Sequence, residues 1–235
     1  MLWKLSRRAP YLQPASMTKR NIRSEERGSG LIEFLLSSLI WLPLLLGTAV
    51  FGVNMIRAIQ VSQIARNSAH MFSQGIDFSQ PQNAALLVRM ASGLNIQQKS
   101  GSGGILLSTI LLVTQQDCNA ANIPNCPNLN QYVFTSLFVF GNATYAKTKL
   151  GSPSVSDYQN GMTLQPKDYL ISRSLVVNNC RQSAGSSCFP ALFDPTNGQP
   201  AQPGQYAYVS EVTVNSQVLN WSSFSNTGSY ARSIF

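Results

Sequence analysis

The chain has few side chains that could do chemistry: nine carboxylates, one histidine and four cysteines in 235 residues. The most unusually placed is Glu33, in the stretch "RSEERGSGLIEFLLSSLIWLPLLLGTAVFG", residues 23–52. It stands at the head of a run from Phe34 to Val53, 20 residues without a formal charge. An ionised carboxylate inside hydrocarbon costs at least about 2.5 kcal/mol, falling towards zero at the headgroups, so such an acid needs either a partner or a shallow position.

The cysteines fall in two pairs, Cys118 with Cys126 and Cys180 with Cys188, each bracketing a polar segment ("NAANIPN", "RQSAGSS"). Four cysteines allow three pairings, and the local one closes the shortest loops. Zinc ligands are normally spaced more tightly, and an exported domain lies in an oxidising compartment, so disulfides are expected and a metal is not. His70 has no partner in sequence for a metal site or a nucleophile–base pair and reads as a helix-surface residue. The acids Asp77, Asp117, Asp157, Asp168, Asp194 and Glu211 are scattered. No G-x-S-x-G, phosphate loop or His-Glu-x-x-His occurs, so an enzyme is not expected and no cofactor is implied. A glycosidase-like acid pair, such as Asp157 with Asp168, is left open by spacing alone.

The elements that position these residues follow from hydropathy and punctuation. The uncharged run makes a helix of about 30 Å, the thickness of a bilayer core. Pro43 sits in its middle, where the lost backbone donor favours a bent or loosened helix. Seven basic against two acidic residues precede the span, so residues 1–28 stay cytoplasmic by the positive-inside rule and the remainder is exported. Met17 offers a second start that leaves a complete basic leader. Of the net charge of +8, the part beyond residue 56 holds ten basic and six acidic residues, diffusely placed, which argues against a nucleic-acid surface. An ordinary secretory signal cut at Gly47-Thr48-Ala49, releasing a chain that starts at Val50, is the rival targeting reading; the apolar run continues past that cut.

Beyond the span, Ile56, Ile59, Val61, Ile64, Ala65, Ala69, Met71 and Phe72 recur at mostly three- and four-residue steps. They predict an amphipathic continuation to Phe72, a helix of about 63 Å from Leu31. The stripe could pack under the exported domain, against other subunits, or both. Gly75 and "DFSQPQ" end the helix, and "PQNAALLVRMASGLN" (81–95) predicts a second, short one. Four stretches read as strands of one antiparallel sheet packed on the long helix: "ILLSTILLVTQ", "QYVFTSLFVFG", "YLISRSLVVNN" (169–179) and "YAYVSEVTVNSQV" (206–218). Segments 142–168 and 181–205 read as loops. The fold class is α+β. Residues 1–28 form a leader, 29–56 a transmembrane helix, 57–75 an amphipathic stalk and 76–235 the exported domain.

The "RG", the small residues after it, "LIEF" and the Pro-containing apolar helix together resemble the processing site of type IV prepilin-like proteins. Within that group residues 23–65 resemble the TadE-like minor pseudopilins of the tight-adherence (Flp) pilus machinery. The resemblance implies cleavage after Gly28 by a prepilin peptidase, Glu33 followed by Phe34 as the charge-pairing position, and a pilin-like fold. Ser29 would then be the first residue, its new α-ammonium four positions from Glu33 on the same helix face or within reach of a neighbouring subunit. An amine on a neighbour would also fix axial register, because a misplaced subunit leaves two charges unpaired. It also implies residence in the bacterial inner membrane with the domain outside, and other pilins or pseudopilins as partners. The rival class is a single-pass, membrane-anchored exported binding module with no part in a filament.

Overall fold

A computed structural model describes residues 26–154, 164–178, 204–215 and 228–235, with backbone alone for 26–29. The chain divides into two compact units, residues 1–49 and 50–235, and the first helix contributes to both. That helix, α1, runs from Glu26 to Ser73 and passes Pro43 without interruption. In its first half the hydroxyls turn back onto the helix itself: Ser37 Oγ donates to the Glu33 carbonyl (3.0 Å), Ser38 Oγ to Leu35 (2.8 Å) and Thr48 Oγ1 to Leu45 (2.9 Å). Bonds of this kind let polar side chains sit in an apolar surface without an unpaired donor.

The helix stops where Gly75 takes a positive φ of 82°. The Gly75 N–H reaches the Phe72 carbonyl (3.1 Å) and the Ile76 N–H reaches Met71 (3.2 Å), the paired bonds of a Schellman cap. Ile76 and Met71 both pack against the core that the cap closes. The expected stop thus lies one residue beyond Phe72, and the glycine supplies the left-handed conformation that it requires. After it come α2 (Pro81–Met90) with proline in its first turn and a 3₁₀ turn at Ser92–Leu94. Asn95 then takes a left-handed conformation where the sequence predicts a helix end at Gly93.

The sheet contains β1 (Gly103–Leu112), β2 (Tyr132–Gly141), β3 (Tyr206–Val214) and β4 (Ser229–Ile234), in the order β2-β1-β3-β4, with every pair antiparallel. Both faces are covered. Val61, Ile64, Ala65 and Phe72 of α1, with Ala84 and Leu87 of α2, pack on Ile105, Leu107, Phe138, Phe140, Val212 and Val214. On the opposite face Leu106, Ile110, Phe134, Leu137 and Val209 meet Leu150, Leu175 and Val177. This two-sided burial explains why β3 lacks a clean alternation: Val209 and Ser210, Glu211 and Val212 are all buried. Where Gly104 faces Gly141 across the β1–β2 pair, a Cβ on Gly104 would stand 2.6 Å from that of Ala146, so the chain crossing there excludes a side chain.

Three expectations need correction. Of the stretch 169–179 the described residues, 169–178, form no sheet strand: Pro166–Ile171 is a helix, here α4, followed by a 3₁₀ turn at Arg173–Leu175 and a single bridge from Val176 to Val133. Pro166 at the first helical position sets the helical φ, and Asn128 holds the helix end by donating from Nδ2 to the Tyr169 and Ser172 carbonyls (2.8 and 2.9 Å). The fourth strand is instead "SYARSI", half-exposed along its whole length. The buried stripe of α1 starts at Val61, since Ile56 and Ile59 are exposed, and it includes the fully buried Ser68.

Candidate functional site

Gly28 and Ser29 lie in the first turn of α1, and Glu33 and Phe34 follow in the next. Ser29 and Glu33 therefore share one side of the helix, four residues apart. The side chains of Glu33 and Phe34 are exposed, Phe34 to 71%. So are Leu31, Ile32, Leu35, Leu36, Leu39, Ile40, Trp41 and Leu42, then Leu44 to Leu46 beyond Pro43; at 100° per residue such a set covers the whole circumference. Each of these side chains would gain about 1.5–3 kcal/mol on full burial, so a surface of this extent calls for an apolar surrounding. Among the described residues this is the one helix long and apolar enough to cross a membrane, with a mean hydropathy of 2.1 in its most apolar window. It is consistent with a single-pass anchor.

The outer half of α1 contacts the sheet through small residues. Ala65, Ser68 and Ala69 are essentially inaccessible and let the strands approach closely. Ser68 Oγ lies 2.7 Å from the Ile64 carbonyl and 2.7 Å from Ser210 Oγ of β3. With the Ser68 proton on the carbonyl, Ser210 donates to Ser68, and both buried hydroxyls are satisfied. Nothing in the sequence pairs these serines, which lie 142 residues apart.

Cys118 and Cys126 are joined by a disulfide, with their Cα atoms 5.9 Å apart. Cys118 sits on α3 (Gln115–Ala120), a helix hidden in the sequence inside a polar stretch. Its start is a capping box: Thr114 Oγ1 accepts from the Asp117 N–H, and the Asp117 carboxylate accepts from the Thr114 N–H at 2.8 Å. The helix and its loop pack on Val133 and Leu170, which ties the disulfide to β2 and α4. Cys180 and Cys188 lie outside the described residues.

The remaining titratable groups have local duties. His70 is exposed, with its ring edge-on to Phe235 at 5.7 Å. Hydrogen bonds from Ser79 hold the Asp77 carboxyl below its ordinary range. Buried Glu211 accepts from the Lys149 N–H (3.0 Å) and from the Tyr230 hydroxyl, joining β3 to β4 and to the chain around residue 149. Burial first, then the Glu211 charge, raises the Tyr230 phenol far above its ordinary range, and Lys149 Nζ lies 3.8 Å from the centre of its ring. Asp157 and Asp194 lie outside the described residues, and no three His, Cys, Asp or Glu side chains gather among those described. Comparison with protein-family models, curated proteins and solved structures finds no match to the chain.

Proposed function

We propose that the protein is a minor pilin or pseudopilin of TadE-like type. It inserts in the bacterial inner membrane, is processed by a prepilin peptidase after Gly28, and takes part in the assembly or initiation of a type IV (tight-adherence) pilus. Its role is non-enzymatic, and its partners are other pilins of the same machinery. The observation that carries this reading is the head of α1, where Glu33 stands four residues from the amine that cleavage at Ser29 would create, directly before a helix exposed and apolar on every side. The basic leader keeps this head cytoplasmic, and the sheet domain is exported.

One observation favours the second reading, a membrane-anchored binding module. The outer stripe of α1, Val61 to Phe72, is already buried on its own sheet. Contacts between subunits along the helix must therefore come from the apolar half and from Glu33. Glu33→Gln separates the two readings. A pilin with this change inserts and is processed normally, but loses assembly, because an unpaired buried amine costs about 3–5 kcal/mol when fully desolvated and less near the headgroups. An anchor tolerates the change. Cross-linking to the other pilus components in membranes, with filament counts, reads the outcome: undiminished contacts and normal filaments contradict charge pairing.

A further inference from the structure

In the exported unit a cleft of about 530 Å³ lies between the end of α1, the middle of β1 and β2, the start of α4 and the first residues of β3. Its volume falls in the range of about 300–1,000 Å³ typical of small-molecule sites. A β-bulge builds its floor. Thr109 pairs with Ser136 and Ile110 with Phe134, which leaves Thr135 without a partner across the ladder. The Thr135 carbonyl, freed from the sheet, accepts from the Leu164 N–H at 2.8 Å and so holds the segment that enters α4. The bulge thus gathers hydroxyls on the floor and brings a second wall up beside them, a use to which bulges are often put.

Three hydroxyls meet there, with Thr109 Oγ1 2.6 Å from both Thr135 Oγ1 and Ser136 Oγ. Polar side chains in mid-strand between apolar neighbours are costly unless bonded. Thr135 can donate to the Thr109 carbonyl (3.3 Å), Thr109 to Thr135, and Ser136 to Thr109. Every proton is then used, while the Ser136 oxygen keeps lone pairs for a donor in the cleft. Around this floor stand aromatic rings. Tyr206 is 50% exposed, Tyr208 and Tyr169 are half-buried, and Phe72 packs edge-on to Tyr208 at 5.3 Å. Burial first, then the Tyr206 phenol and Asp117, raises the Tyr169 phenol above its ordinary value. Asp77 lies on the lining, fixed by the Ser79 N–H at 2.8 Å, and is the only charged side chain among the described residues that line it.

We propose that this cleft binds a neutral saccharide, with a sugar ring against Tyr206 and Tyr208 and sugar hydroxyls shared between Asp77 and Ser136. The C–H faces of a pyranose pack on aromatic rings, and a carboxylate beside them accepts from adjacent ring hydroxyls. Among the described residues the lining has no lysine, arginine or histidine to recognise a phosphate, a sulfate or an acidic sugar. A proline-rich peptide would use the same rings. The hydroxyl floor and the carboxylate favour the sugar, because acceptors at the floor match a ligand dense in O–H donors. Every residue involved lies at or beyond Phe72, so the site holds for a pilin and for an anchored module alike.

The test is binding of the full-length, detergent-solubilised protein to an array of immobilised neutral oligosaccharides, acidic oligosaccharides and a proline-rich peptide. It is run beside the double variant Tyr206→Ala/Asp77→Asn, whose two positions are exposed and whose thermal unfolding should match that of the parent. The expected result is retention on neutral oligosaccharides that falls at least ten-fold in the variant. Retention on acidic sugars alone, on the peptide alone or on nothing overturns the proposal. So does neutral binding that falls less than ten-fold.

Discussion

The two halves of α1 are one unbroken helix with opposite surroundings. From Leu31 to Ile56 large apolar side chains are exposed on every side, whereas from Val61 to Phe72 they form a single stripe buried on the sheet. The first half has no periodicity to speak of and needs an apolar solvent; the second is amphipathic and needs a protein face. The change falls between Ile59 and Val61, where the exposed apolar side chains give way to the fully buried stripe. One apolar window makes the helix long and apolar enough to cross a membrane, and the periodicity marks off the stripe that belongs to the domain.

Equal truncations in the two halves should give the largest difference. Ile64→Ala removes a core side chain and should cost about 2–5 kcal/mol in denaturant unfolding of the sheet domain in micelles. Leu44→Ala should leave that transition unchanged. If Leu44→Ala destabilises the domain comparably, the division between the halves is wrong.

A charge sharpens the same comparison from the membrane side. Leu44→Arg should cost about 2.5–3.5 kcal/mol of insertion and visibly lower the membrane-integrated fraction after carbonate extraction. Gln60→Arg, on an exposed position of the outer half, should leave that fraction as it was.

The smallest effect concerns the polar contact in the outer half. Ser68→Ala leaves Ser210 without its partner and should cost about 1–3 kcal/mol, while the double change Ser68→Ala/Ser210→Ala should recover part of the loss. A double variant less stable than the sum of the singles would show that these hydroxyls have other duties.

Much of this is legible in the sequence because it is local. The apolar run, the glycine stop after Ser73, three of the four strands and the Cys118–Cys126 loop each declare themselves within about ten residues. The Gly28-to-Glu33 spacing is local too. What escapes depends on partners distant in the chain. "YLISRSLVV" carries strand-like residues, yet Pro166 and the remote Asn128 hold its start as a helix. "SYARSI" is polar enough to pass for a loop and becomes a strand because β3 offers it an edge and Glu211 meets Tyr230. The hydroxyl floor of the cleft arises from a register shift between β1 and β2, which neither strand reveals alone.

The most direct measurement is the N-terminal sequence of the mature protein co-expressed with a prepilin peptidase. A chain beginning at Ser29, with Glu33 fifth, is the predicted result. An intact leader, or a chain beginning at Val50 after signal cleavage in mid-helix, would contradict it.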